Sequence, residues 1–151
     1  MNNGSEIRLV RDSFRLFNRW AGVLKSDPYG LELSLSQGSA LVDIDRYGPL
    51  KPGALASLLK LEKSSVSRLV QILLSKKLVK LTDHDQDARA KLLILTSKGQ
   101  AVVRTINRQA DDSIEQVLRL ISTAEREQLV KSLTRFTDAI EGVSRNSNSR
   151  D

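Results

Sequence analysis

The chain has no cysteine and only one histidine in 151 residues. Without a thiol it can form no disulfide or thiolate metal site, and it carries no cysteine nucleophile. A single imidazole leaves too few nitrogen ligands for a tight transition-metal site. No apolar run approaches the length of a membrane span, and the opening MNNGSEIRLVRDSF lacks the apolar core of a signal peptide. No membrane partner is therefore expected, and the expected compartment is the cytoplasm. No glycine-rich phosphate loop compensates for the thin set of bases and nucleophiles. Neither an enzyme nor a cofactor is expected.

What is present points elsewhere. A hydrophobic share of 40% beside 28% charged residues suits a water-facing protein. The length suits one globular domain, or one compact domain with extra helices that need a partner. Net charge is +6, and its placement matters more than its sum. Residues 51–104 hold eleven Lys or Arg against four Asp or Glu, whereas the remainder holds thirteen against fourteen. Such an excess is either a solvated basic face or the electrostatic footprint of a nucleic acid. The elements beneath it decide.

Near the N-terminus, Ile7, Val10, Phe14, Phe17, Ala21 and Leu24 recur at intervals of three and four, with Arg8, Arg11, Arg15 and Arg19 turned away. That is an amphipathic helix, broken by DPYG at 27–30. A second helix opens at Ser34, whose spacing from Gln37 is that of a capping box; Leu41 and Ile44 face inward, and YGP at 47–49 ends it. Pro52 suits the first turn of a third helix, with Leu55, Leu58 and Leu59 as its apolar face. A few residues around Leu61 and Glu62 separate it from a fourth. There Val66, Leu69, Val70, Leu73 and Leu74 form one side, and Ser64, Ser65, Ser67, Arg68 and Gln71 the other. Two short helices joined so tightly cross steeply. The outer face of the second, with its hydroxyls, guanidinium and amide, suits base edges better than catalysis.

After Lys77 the period changes. LVKLT and KLLILT read as strands of a hairpin with a polar tip. Thr96 then caps a long helix carrying Val103, Ile106, Ala110, Ile114, Val117 and Ile121 at helical spacing. Ser122 and Glu125 form a second capping box, and a last helix carries Leu129, Leu133, Phe136 and Ile140. The stretch 144–151 is polar and is expected to be disordered. The apolar stripes at both ends of the chain suit helices that pair with each other and with a second copy.

The hairpin tip invites sharper readings. Asp83, Asp85 and Asp87 alternate as in a calcium loop, but that loop needs glycine at its sixth position and a glutamate at its twelfth. Here those positions hold Ala88 and Ile94, and Arg89 would sit among the ligands. A carboxylate pair for acid/base work needs a cleft that raises one pKa, and a hairpin tip is solvated. Asp83 and Asp85 are accounted for by a polar turn. Asp87 and Arg89, two apart on a strand, point the same way, so the carboxylate can orient the guanidinium. An arginine held out in this way fits the narrow minor groove of DNA. The bland alternative is a surface ion pair worth ~0–1 kcal/mol.

Three stretches together resemble the multiple-antibiotic-resistance regulator (MarR) family of winged helix-turn-helix transcription factors. They are LSLSQGSAL, LASLLKLEKSSVSRLVQILLSKKLV and DARAKLLILTSKG, in that order. Within the last, the resemblance rests on Asp87 and Arg89 of the wing and on Leu95, Thr96 and Gly99 at the start of the fifth helix. Three positions depart from the family pattern. Lys77 stands where a helix-ending glycine is usual, Glu62 where a short capping side chain is usual, and Gln86 where an arginine often precedes the wing aspartate. The missing cysteine excludes the thiol sensing of one branch, and the lone histidine argues against the metal-sensing branch.

The resemblance implies a mainly α, winged-helix (α+β) fold and a homodimer on double-stranded DNA. Residues 33–96 would form the winged DNA-binding domain. Residues 1–32 and 97–143 would form the dimerisation region, through Ile7, Val10, Phe14, Phe17, Leu129, Leu133, Phe136 and Ile140. Ser64, Ser65, Ser67, Arg68 and Gln71 would read bases, with Asp87, Arg89 and Lys91 in the wing. Lys51, Lys63, Lys76 and Lys77 would neutralise phosphates. Many members also bind a small, often aromatic, effector; Trp20, Tyr29, Phe14 and Phe17 are candidates to line a pocket for one. The rival reading is a winged helix that docks protein or RNA without operator specificity.

Overall fold

A computed structural model describes residues 3–84 and 87–148, without the side chains of Asn3, residues 84–90 and residues 145–148. Along the chain run α1 (Asn3–Trp20), α2 (Leu35–Tyr47), α3 (Pro52–Leu59), α4 (Lys63–Ser75), β1 (Val79–His84), β2 (Asp87–Leu95), α5 (Ser97–Leu118) and α6 (Thr123–Asn148). They fall into two compact units, Met1–Ala110 and Asp111–Asp151, the boundary lying within α5.

The first unit is built around one apolar core. Leu33, Leu41, Leu55, Val66, Leu73, Leu93 and Val103 are fully buried in it. Each such side chain contributes about 1.5–3 kcal/mol by leaving water. No buried polar or charged residue interrupts this core among the described residues. The core therefore fixes where α2, α3, α4, the hairpin and the start of α5 meet.

Local chemistry sets the element ends. The Ser34 hydroxyl accepts from the Gln37 N–H at 3.3 Å, and the Ser34 N–H donates to Gln37 Oε1 at 3.1 Å, completing the capping box. Pro52 occupies the first turn of α3. That helix stops where Lys60 turns left-handed, at φ 53° and ψ 41°. Its buried face is Leu55 and Ala56; Leu58, expected inside, is exposed. An eight-residue helix has too few turns to bury three leucines on one core.

The hairpin is antiparallel, with Val79 opposite Leu95 and Asp83 opposite Lys91, and its register shifts between Asp83 and His84. The strands reach further into the polar segment than the sequence suggests, since β1 continues to His84 and β2 begins at Asp87. Asp85 and Gln86 lie outside the described residues. Leu50 adds a short third edge, its N–H and C=O both bonded to Leu93 at 3.1 and 2.8 Å.

The second unit holds the end of α5 and α6. Its helix start is the expected box: the Ser122 N–H donates to Glu125 Oε2 at 2.7 Å, and Ser122 Oγ accepts from the Glu125 N–H at 3.3 Å. α6 continues to Asn148, so the stretch from 144, expected to be disordered, is helical as far as that residue. No proline or glycine follows Gly142 to stop it. The α5 stripe is also not uniform. Val103 and Ile106 are buried, whereas Ile114 and Val117 are exposed. The α1 and α6 stripes are likewise bare in one chain, from Phe136 at 38% exposure to Ile7 at 60%.

Candidate nucleic-acid interface

α4 carries its two faces as the spacing predicts. Val66, Leu69, Val70 and Leu73 are buried, while Lys63, Ser64, Ser65, Ser67, Arg68 and Gln71 are all exposed. Because the buried side chains sit on the core, the helix cannot roll about its axis without opening a cavity. Its outer face is thereby fixed in direction. A shallow depression of about 270 Å³ lies between the start of α3 and this face, lined by Pro52, Gly53, Lys63, Val66, Ser67 and Gln71 among others.

Glu62 precedes α4 and makes no side-chain cap bond, as its departure from the usual short acceptor suggests. At the other end Lys77 adopts φ 57°. A lysine there accepts the left-handed conformation that glycine takes freely, at a cost of about 1 kcal/mol. Lys60, at φ 53°, does the same at the turn before α4. Both are exposed.

The expected phosphate-binding lysines differ in their surroundings. Lys51, Lys63 and Lys77 are exposed. Lys76 is less so: its ammonium lies 3.9 Å from Glu32 Oε2, which partly neutralises it. Lys91 is bonded to the Asp83 carboxylate across the hairpin, so Asp83 serves as a cross-strand partner rather than only as turn chemistry. Asp87 and Arg89 are placed at the start of β2. Their side chains, and hence their expected pairing, lie outside the described residues.

Thr96 caps α5 as expected, and further partners that the sequence reading missed gather just past the end of α4. Thr96 Oγ1 donates to the Lys77 carbonyl at 2.7 Å and accepts from the Gly99 N–H at 3.0 Å. Lys98 Nζ donates to the Lys76 carbonyl at 3.0 Å. The Thr96 N–H donates to the Leu78 carbonyl at 3.0 Å. Glu32 stands in the α1–α2 loop, itself organised by Asp27. That carboxylate accepts N–H bonds from Glu32 at 2.8 Å, Leu31 at 3.1 Å and Leu33 at 3.4 Å. The bond from Glu32 is the chief reason its pKa falls below the ordinary 3.8. The partners of Thr96 and Lys98 stand 19 and 22 residues away and gave no local signal, although Lys60 and Lys98 could both have been read from the basic excess of residues 51–104.

Tyr29 packs on the core and covers Gly38, where a Cβ would lie 2.2 Å from its ring. Its backbone carbonyl accepts from Gln109 Nε2 at 3.2 Å. Phe17 and Trp20 lie against each other with ring centroids 5.8 Å apart. Among the described residues, no group of three or more potential metal ligands comes together, and no helix is long and apolar enough to cross a membrane.

A two-helix unit with an outward polar face, backed by a two-stranded antiparallel wing and a third bridging edge, defines the winged helix-turn-helix class. The MarR family model matches residues 33–91, the segment containing that unit. Over that segment the chain is similar to the MarR family. It is 28% identical over 140 residues to the HTH-type transcriptional regulator YxaD of Bacillus subtilis, covering 92% of this chain and 98% of that one. It is 27% identical over 125 residues to the HTH-type transcriptional regulator MT0903.1 of Mycobacterium tuberculosis, covering 83% and 87% respectively. Among solved structures it resembles RV1404 from Mycobacterium tuberculosis, with TM-score 0.77, 26% identity and coverage of 92% and 94%. It also shares the fold of Streptococcus pneumoniae FabT, solved in complex with DNA, with TM-score 0.79, 20% identity and coverage of 91% and 99%.

Proposed function

We propose that the protein is a sequence-specific double-stranded DNA-binding transcriptional regulator, acting as a homodimer on pseudo-palindromic operators, with repression as its mode. The observation that carries this reading is the outer face of α4. Ser64, Ser65, Ser67, Arg68 and Gln71 are exposed together, on a helix pinned by its opposite side. These side chains can donate to and accept from base edges in the major groove, and Arg68 has the fork that grips guanine. Among the described residues Lys51, Lys63 and Lys77 make no ion pair of the kind found at Lys76 and Lys91, which fits neutralisation of phosphates. Arg89 would enter the flanking minor groove with Asp87 orienting it.

Two copies are required because one helix spans only half an operator. The exposed stripes of α1 and α6, through Ile7, Val10, Phe14, Phe17, Leu129, Leu133, Phe136 and Ile140, supply the apolar surface for pairing. That arrangement would set the two recognition helices about one turn of B-DNA apart. A small-molecule effector would act only through a difference in affinity between two spacings of those helices.

Selection of bound duplexes from a random pool tests the reading. A two-fold symmetric consensus supports it. Recovery of no consensus, with equal affinity for random DNA or for RNA, would replace it with a module lacking operator specificity.

A further inference from the structure

We propose that Thr96 and Lys98 are positioning residues for the recognition helix: they fasten the end of α4 to the start of α5 and so help set the operator spacing the dimer accepts. The proposal rests on the DNA-binding reading above.

The last carbonyls of any α-helix lack partners within the helix. Those of Ile72, Leu73 and Leu74 accept from the Lys76, Leu78 and Lys77 N–H groups that follow α4. Two carbonyls just past the helix are tied to the start of α5. The Lys76 carbonyl accepts from Lys98 Nζ at 3.0 Å, and the Lys77 carbonyl from Thr96 Oγ1 at 2.7 Å. The cation also opposes the negative end of the α4 dipole. Thr96 is doubly committed. A hydroxyl has one proton and two lone pairs. Its proton goes to the Lys77 carbonyl, at 2.7 Å the nearer of two acceptors, the Leu78 carbonyl lying 3.2 Å away. One lone pair accepts from the Gly99 N–H at 3.0 Å, which caps α5. The same oxygen thus starts α5 and holds the turn that follows α4.

Backbone conformation points the same way. Lys77 is held at φ 57°, a strained value for lysine, and strain persists where the surroundings over-determine it. Gly99 lies so close that no Cβ would fit between it and the Leu78 carbonyl, so α5 and the turn that follows α4 touch backbone to backbone. Packing alone could hold α4 against the core, but packing tolerates small slides along the helix axis. Two directed hydrogen bonds at its end do not. Since α5 falls in the region expected to join the two copies, residues 1–32 and 97–143, a loosened end would let each recognition helix shift against its partner's.

The chemistry supplies a discriminating substitution. Thr96→Asp keeps an oxygen to accept from Gly99 but has no proton for Lys77 at neutral pH. Thr96→Ser keeps both. Lys98→Met removes the second tie and leaves the cap untouched. Each variant is assayed on duplexes selected by the parent, at their selected half-site spacing and at one base pair more or less. The parent should prefer its own spacing. In Thr96→Asp that preference should fall by about fivefold, less in Lys98→Met, and return in Thr96→Ser, while sedimentation still shows a dimer. Added negative charge would weaken all three duplexes alike and leave the ratio unmoved. A preserved ratio in folded, dimeric Thr96→Asp and Lys98→Met overturns the positioning role alone. A parent that selects no two-fold site overturns the DNA-binding reading, and the positioning role with it.

Discussion

Gly99 passes so close to Leu78 that a Cβ built on the glycine would lie 2.0 Å from the Leu78 carbonyl oxygen. Backbone, not a flexible side chain, stands in the way. Gly99→Ala should therefore cost about 1–3 kcal/mol, the range seen when a packed site is overfilled. Urea unfolding of the variant beside the parent measures it. An unchanged midpoint would mean the two backbones separate more readily than their packing indicates.

Arg68 stands on the exposed face of α4 and no ion pair is recorded for it among the described residues. Arg68→Ala should lower discrimination by ~1–3 kcal/mol at one base position of the operator while leaving random-sequence affinity nearly intact. Competition binding with single-base operator variants gives that profile. Equal losses on operator and random duplex would reassign Arg68 to the phosphates.

Arg89→Ala should weaken binding without dissociating the dimer. Parallel sedimentation and mobility-shift titrations separate the two effects. Binding equal to the parent's would leave the wing arginine as a surface charge only.

Lys77 presents a trade-off. Replacement by glycine removes a left-handed lysine and should raise stability by about 1 kcal/mol. It also removes one cation from each copy, so for the dimer the slope of log affinity against log salt should become shallower by about 2. Thermal melts and titrations at several salt concentrations would show a protein that is firmer but binds DNA less tightly. A variant that gains stability and keeps the full salt slope would remove Lys77 from the phosphate contacts.

Asp27 adds a pH dependence. Its folded pKa lies below 3.8, led by the Glu32 N–H bond, so its contribution to stability is present above 3.8 and is lost as pH falls through the folded value. Asp27→Asn should be less stable than the parent at neutral pH. The gap should close below pH 3.8. Unfolding curves across that range test it, and a gap independent of pH would assign the effect to shape rather than charge.

Much of this arrangement was legible in the sequence because it depends on near neighbours. The Ser34–Gln37 and Ser122–Glu125 boxes join residues three apart, and the two faces of α4 follow from helical period alone. What escaped depends on distant ones. The Lys76–Glu32 pair spans the whole of α2 and α3, and the Thr96–Lys77 bond closes around the hairpin. Periodicity also marked α5 as one continuous stripe, but burial depends on what packs opposite: Ile106 meets the core and Ile114 does not. Likewise, Asp83 read alone is a turn residue; only the strand register brings it to Lys91.

The missing side-chain cap at Glu62 has a consequence for folding order. α2 and α6 carry their own start signals and can begin to coil before the rest of the molecule assembles. α4 has none, so its first turn borrows its order from the core beneath it. The segment proposed to meet the bases is thus the least autonomous of the three, and its opening amides should be the first in those helices to exchange with solvent deuterium.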